Sequence, residues 1–493
     1  MLLWAPPLLA EETPGPFSLS ERTIPGRGID GFAARDEAGR ERMAILSIEG
    51  SAPRELRFIS WLPGRAQEPL ASIGVPREFV AVDVAELGLA AGPELVWVSA
   101  DEVRIVAVDG RTLRSETIEP PLPLPARTWE LARYPLIRDW DGDGRLELLL
   151  PRADRVTLHP LLAGDAAQHL AVPWSADYGS PTLENWFRPG LLTGLYAWPT
   201  MATGDDDGDG RTDLYAANRF ELLVFRGGAG GLPTQPSVRR AFRPFSEEEE
   251  RRRVASTLLV FPTDLDADGR TDLVVHRMVG SLMRSHAVTS AYRNAGAGPD
   301  PQSEPWTRLE SRGGTAAIEL LDIDGDGRVE LLEGHIPFGV LQAIRMLTFG
   351  RLETRLRVLA LPEQAGDPPR ETFATEVTFP FDFDTSRVLG VLPHTETDWN
   401  ADGFRDLCWS DGSGELTFRL GEARPKGPGY GRAAEQGGLE VSGELVAADL
   451  DADGLPDFAI YDPLDRSGTL RIGMNRGVLP GTRPGLRAGP ESD

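Results

Sequence analysis

The run Asp205-Asp206-Asp207-Gly208-Asp209-Gly210-Arg211-Thr212-Asp213-Leu214 decides how the rest of the chain is read. Acids stand at positions 1, 3, 5 and 9, with a glycine at position 6. That spacing folds the backbone back sharply and aims several side-chain oxygens at one point. A hard cation fills such a point. Calcium takes six to eight oxygen ligands, backbone carbonyls among them. Here Asp205, Asp207, Asp209 and Asp213 supply carboxylates, and Arg211 at position 7 supplies its carbonyl. Magnesium demands a tighter octahedron with retained waters and ranks second.

The pattern occurs six times, at intervals of 51 to 76 residues. Loop 1 offers Asp139, Asp141, Asp143, the carbonyl of Arg145, and Glu147; loop 2 is the run above. Loop 3 offers Asp264, Asp266, Asp268, Arg270 and Asp272, and loop 4 Asp322, Asp324, Asp326, Arg328 and Glu330. Loop 5 offers Asp398, Asn400, Asp402, Phe404 and Asp406, and loop 6 Asp449, Asp451, Asp453, Leu455 and Asp457. A repeat of this length suits four strands of five or six residues with their turns, and insertions explain the longer intervals.

Each loop lies between short apolar runs bounded by Gly, Asp and Pro, which read as buried strands. Such runs follow the loops at 146–150, 213–217, 272–276, 406–409 and 457–461, and precede them at 258–262, 317–321 and 445–448. A further strand ending in a glycine turn is expected at 222–226, 416–420 and 470–474. The unit is therefore strand, acid loop, strand, turn, strand.

These units resemble the FG-GAP or VCBS repeat, the calcium-loop blade of bacterial surface proteins and, more distantly, of the β-propeller head of integrin α chains. The resemblance covers about residues 30 to 476. It implies an all-β fold, a β-propeller of four-stranded antiparallel blades, with calcium in about six structural sites and a protein or glycan ligand bound on one face. An EF-hand would need a Glu at position 12 and flanking helices; position 12 is Leu150, Ala216, Val275 or Glu333, and the flanks are strand-like. Polar turns that bind nothing are the other alternative. Four carboxylates packed together without a cation repel one another and raise their own pKa values.

Two degenerate units precede loop 1. One spans 28–48 and keeps Asp36 and Gly39 but has Ala34 and Ala38 at positions 1 and 5; the other is read as starting at Asp83 and passing Gly88 to a strand at 94–98. Counting both, eight blades are favoured and seven are the alternative. The last unit lacks a fourth strand of its own, and a strand at 18–24 is expected to supply it and seal the ring. The domain reading is a signal-like or disordered segment at 1–17, a single propeller at 18–476 and a flexible tail at 477–493.

Composition agrees with a turn-rich globular chain: 493 residues, 41% hydrophobic and 26% charged, with 54 Gly and 41 Pro. Acids of the six loops carry much of the net charge of −25; six divalent ions would offset about half of it. That acidity argues against a nucleic-acid partner. The apolar start, Met1 to Ala10, resembles the back half of a secretory signal without its basic region. No run reaches the length of a membrane span. Location outside the cytosol is expected: secreted, periplasmic or at the cell surface.

Other features read as ordinary structure. The aromatic-rich stretch between loops 1 and 2 holds His159, His169, Trp174, Tyr178, Trp186, Phe187 and Trp198, and blade packing is favoured over sugar stacking. Trp140 and Trp399 at position 2 of their loops point into the blades. Ser246 is a candidate N-cap for a charged turn through Arg253, and strand pieces are expected at 346–349 and 356–361. None of the six His falls in a zinc spacing, the single Cys408 sits in an apolar strand, and no nucleophile elbow or phosphate loop occurs. No catalytic motif is recognisable, so a binding, adhesion or scaffold module is the leading reading. The alternatives are a calcium-dependent enzyme acting on polysaccharide or ester, for which loop 5 with Asn400 is the first place to look, and a subunit of a larger envelope complex.

Overall fold

The computed structural model describes residues 15–482, apart from 24–26, 36–40, 49–53, 60–69, 91, 125–130, 153, 163–165, 174, 179–193, 252–255, 281–284, 338–339, 385–386, 440–441 and 466–467. The signal-like start and the degenerate loop around Asp36 lie outside the described residues.

Strands are packed in sequential meanders. Among the described residues there are six four-stranded sheets, two five-stranded sheets and one two-stranded ribbon. In the sheet carrying loop 2, Thr200–Gly204, Asp213–Ala217, Glu221–Phe225 and Val238–Ala241 pair in chain order, all antiparallel. The next sheet repeats this with Ser256–Thr263, Asp272–Val279, His286–Tyr292 and Thr307–Arg312. In the last sheet, Glu444–Ala448, Asp457–Tyr461 and Thr469–Asn475 are joined by Phe17–Thr23, whose Phe17 lies opposite Asn475. The expected strand at 18–24 is thus found beside the C-terminal one.

The strands that follow the loops are deeply buried. Every residue of Asp213–Ala217, Leu407–Ser410 and Asp457–Tyr461 is buried. A central strand covered on both faces by neighbouring sheets has no solvent side, so its sequence is a continuous apolar run rather than an alternation. The core lies between consecutive sheets. Tyr215, Leu222 and Val224 meet Val260, Leu273 and Val275 of the next sheet. Phe17, Trp399, Phe418 and Phe458 meet between the last two, with ring centroids 4.9–6.4 Å apart.

Three expectations need correction. Residues 346–349 are not a strand: Val340–Phe349 is a helix, with Gln342 and Met346 buried one turn apart and Met346 packed on Ile336 and Leu352. Ten residues free of Gly and Pro propagate a helix, and Gly350 ends it at φ 60° by donating to the Met346 carbonyl at 2.9 Å. The second degenerate loop starts at Glu86 rather than Asp83, because Glu94 plays the ninth acid and accepts the Leu87 N–H at 2.7 Å. Asp83 belongs to the strand Ala81–Ala85 and accepts the N–H groups of Leu136 and Ile137. Finally, the stretch expected to trail from Gly477 is held as far as Thr482: Leu479 is buried against Trp399, and the Pro480 carbonyl accepts from Asn400.

Ser246 does cap a short helix, Glu247–Arg251. Its Oγ accepts the Glu249 N–H at 3.2 Å while Glu249 Oε2 accepts the Ser246 N–H at 2.7 Å, a reciprocal capping box. Trp140 and Trp399 are buried, and Trp198 packs on the Trp140 cluster. His159 meets Glu116 at 2.8 Å and His169 meets Thr157 at 3.1 Å, and the side chains of Trp174, Tyr178, Trp186 and Phe187 lie outside the described residues. Cys408 is fully buried, and burial pushes its thiol well above the usual range.

Candidate metal centres

All six acid loops share one backbone frame, and the acids build it. The first acid accepts the N–H of the position-6 glycine in every loop: Asp139 from Gly144, Asp205 from Gly210, Asp264 from Gly269, Asp322 from Gly327, Asp398 from Gly403 and Asp449 from Gly454, at 2.8–3.0 Å. The fifth-position carboxylate accepts the N–H of residue 7, from Arg145, Arg211, Arg270, Arg328, Phe404 and Leu455 in turn, at 2.7–2.9 Å. Positions 4 and 6 both need positive φ. Glycine supplies it at position 6 throughout, while position 4 is Ala267, Ala401 and Ala452 in loops 3, 5 and 6, at φ 61°, 54° and 65°. These are the only positive-φ non-glycine residues among the described ones, and each left-handed alanine costs about 1 kcal/mol.

The ninth acid is a buried clamp. One of its oxygens accepts the N–H of residue 2: Trp140 to Glu147, Asp206 to Asp213, Leu265 to Asp272, Ile323 to Glu330, Trp399 to Asp406 and Leu450 to Asp457, at 2.7–3.2 Å. In loops 2, 3, 5 and 6 the other oxygen accepts an N–H at or just past the end of the third strand, of Gly227, Asn294, Gly421 and Asn475, at 2.6–2.8 Å. The ninth acid thus joins the loop entrance to the far end of the sheet. Burial, reinforced by repulsion from the other loop acids, pushes Asp213 and Asp272 up to about 6, Glu147 to about 7, and Glu330, Asp406 and Asp457 to about 8.

Ligand oxygens converge. Carboxylate atoms of Asp139, Asp141 and Glu147 lie within 4.8 Å of one another, as do those of Asp205, Asp207 and Asp213; Asp264, Asp266 and Asp272; Asp322, Asp324 and Asp326; and Asp449, Asp451 and Asp453. Several of these acids carry an orphaned oxygen. Asp207 Oδ1, Asp266 Oδ1, Asp324 Oδ1 and Asp453 Oδ2 are buried with no hydrogen-bond partner. A buried carboxylate oxygen without a donor is costly, and a divalent cation is what this donor set fits: all-oxygen, acid-rich and hard.

Loop 5 differs. No group of three acids forms there among the described residues. Asn400 is fully buried, and its Nδ2 donates to Asp402 Oδ2 and to the Pro480 carbonyl, each at 2.9 Å. The loop named as the first place to look for an enzyme site is therefore covered by the chain that follows the last strand.

Several contacts to the third acid were not legible in the sequence. Gln168 donates to Asp141. Arg226 forms a forked pair with fully buried Asp206, at 3.0 and 2.7 Å, and reaches Asp207 at 3.4 Å. Arg293 meets Asp266 at 3.0 Å while stacking on Trp306. Arg226 and Arg293 lie just past the third strand of their sheets and Gln168 begins the fourth of its own, and only sheet pairing brings them back to the loop.

Residues 261–332, from the strand before loop 3 through loop 4, match the model of the FG-GAP-like repeat. The chain carries an FG-GAP-like repeat. No match is found among curated proteins. Solved structures similar to this chain include the biofilm matrix protein Bap1 of V. cholerae, 13% identical, covering 95% of this chain and 90% of that one with a TM-score of 0.38. The WD40 domain of SCAP from fission yeast is 8% identical, covers 93% and 94%, and has a TM-score of 0.34. The Tc holotoxin pore of Photorhabdus luminescens is 12% identical, covers 85% and 18%, and has a TM-score of 0.29.

Proposed function

We propose that this chain is a calcium-loaded β-propeller of eight blades, sealed by its N-terminal strand, that works outside the cytosol as a binding or scaffold module. The observation that carries the reading is the set of orphaned carboxylate oxygens converging in the repeated loops. The converging acids of loops 1 to 4 and 6 would hold the ions, Asp139, Asp141 and Glu147 in loop 1 and Asp449, Asp451 and Asp453 in loop 6, with the position-7 carbonyls as further ligands. Calcium supplies charge neutralisation there, and its binding free energy adds to folding stability. Weak sites of this type fill at the millimolar calcium found outside cells.

A partner protein is favoured over a glycan by the exposed apolar side chains of the helix Val340–Phe349, with Leu347 and Phe349 70% and 68% exposed. No helix of the described residues is long and apolar enough to cross a membrane. The deciding experiment is differential scanning calorimetry of the full chain in calcium, in magnesium and in EDTA. The proposal expects a transition raised by calcium well above the EDTA value, with magnesium between. An unchanged transition in EDTA ends it.

A further inference from the structure

Loops 2 to 6 are not independent of one another. Thr271, at position 8 of loop 3, donates its N–H to the Asp205 carbonyl of loop 2 at 2.7 Å, and its Oγ1 receives the Asp205 N–H at 2.7 Å. Val329 of loop 4 donates to the Leu265 carbonyl of loop 3 at 3.2 Å, and Arg405 of loop 5 to the Ile323 carbonyl of loop 4 at 2.8 Å. The backbone beside the first ligand of one loop is thus held by the eighth residue of the next.

Two buried asparagines strengthen this chain at chosen places. Asn294 follows the third strand of the loop 3 sheet, and Asn475 ends that of the loop 6 sheet. Both use every polar group in the same way. The backbone N–H goes to the ninth acid of their own loop, Asp272 at 2.6 Å and Asp457 at 2.7 Å. Nδ2 goes to the position-2 carbonyl of the preceding loop, Asp206 at 2.8 Å and Trp399 at 2.9 Å. It also goes to the position-8 carbonyl of their own loop, Thr271 at 3.2 Å and Pro456 at 3.1 Å. Oδ1 accepts the N–H two residues on, from Gly296 and Gly477. One side chain therefore fixes a point between ligand positions 1 and 3 of one loop and the residue before the ninth acid of the next.

The equivalent positions after loops 2 and 5 are glycines. Gly227 and Gly421 give the same N–H to Asp213 and Asp406. A Cβ there would meet the Thr212 or Arg405 carbonyl oxygen at 2.3 or 2.5 Å. No side chain reaches the preceding loop from those places. The side-chain links therefore join loop 2 to loop 3 and loop 5 to loop 6.

We propose that Asn294 is a positioning residue that couples two neighbouring metal loops, so that loops 2 and 3 take up divalent cation cooperatively as a pair, whereas Asn475 ties loop 6 to loop 5, where no group of three acids forms among the described residues. This rests on the metal reading above. Ordering one loop of a pair sets the carbonyl and flanking ligands of the other, so the second ion meets a site whose ordering cost has been met.

The test is hydrogen–deuterium exchange of the full chain across a calcium titration, reading loop 2 and loop 3 peptides separately, with loop 6 as the internal control. Asn294→Asp keeps the Oδ1 acceptor and the side-chain shape but sets an acceptor against the Asp206 carbonyl. In the wild type, loops 2 and 3 become protected over one calcium range, and Asp266→Asn in loop 3 shifts the midpoint of loop 2 by at least about fivefold. In the Asn294→Asp background that shift is lost, while loop 6 titrates as before. Asn294→Ala, which removes the side-chain link without setting an acceptor against the Asp206 carbonyl, serves if the first variant folds poorly. Calcium protection with the loop 2 shift unchanged in Asn294→Asp overturns the coupling and leaves the metal reading standing. Loops that calcium never protects overturn both.

Discussion

Loop 6 allows the clamp and ligand roles of the acids to be separated by two substitutions six residues apart. Asp457 is buried, and its two oxygens accept the Leu450 N–H at 2.9 Å and the Asn475 N–H at 2.7 Å. Asp457→Ala leaves both donors buried and unpaired. At about 1–3 kcal/mol for each unsatisfied group, the loss is about 4 kcal/mol, whether or not calcium is present. Asp451 lies in the ligand cluster of Asp449, Asp451 and Asp453, and burial followed by the Asp449 charge raises its carboxyl. Asp451→Asn removes a like charge from the metal-free loop, so in EDTA it leaves stability unchanged or slightly higher. With calcium at about one hundred times its dissociation constant, the variant forfeits up to about 2.7 kcal/mol of linked stabilisation. Urea unfolding of the wild type and both variants, in EDTA and in calcium, gives the four differences. The reasoning is refuted if Asp457→Ala lies within about 1 kcal/mol of the wild type in EDTA, or if Asp451→Asn loses as much there as in calcium.

Further outcomes are expected. Without calcium the ninth acids stay protonated in the folded state to about 6–8. The stability they contribute is therefore complete below the ordinary carboxylate range and is lost as pH rises through those values. Melting temperature in EDTA should fall from pH 5 to 9, calcium should flatten the profile, and calcium binding should release protons measurable by calorimetry in buffers of different ionisation enthalpy; a level EDTA profile contradicts this. Phe17→Ala should cost about 3–5 kcal/mol, since Phe17 is buried among Trp399, Phe418 and Phe458; unfolding at wild-type urea would mean that the N-terminal strand does not hold the last sheet. Ala401→Gly, which relieves the φ of 54°, should stabilise by about 0.5 kcal/mol after the entropy of an unfolded glycine is deducted, and a destabilised variant would show that the loop takes another conformation. A thiol reagent should label Cys408 only at the urea concentration where the chain unfolds, because the residue is fully buried.

Much of this molecule was legible because its information is local. Acids at positions 1, 3, 5 and 9 around a glycine act within ten residues, and the strands Asp213–Ala217 and Asp457–Tyr461 announce themselves as apolar runs directly after a loop. Even the N-terminal strand of the last sheet could be expected, from a missing fourth strand at one end and a spare one at the other. Reading failed where the deciding partner was distant. The four residues 346–349 look like a strand until Met346 is seen to pack one turn from Gln342. The register of the second degenerate loop depends on which acid, Asp83 or Glu94, closes onto the Leu87 N–H. Only the folded chain brings Arg226 to Asp206, Asn294 to the loop before its own and Pro480 over Asn400. Loop chemistry is thus set by neighbours in the chain, whereas the charge balance of each loop and its ties to the next depend on contacts across sheets, where sequence separation carries no signal.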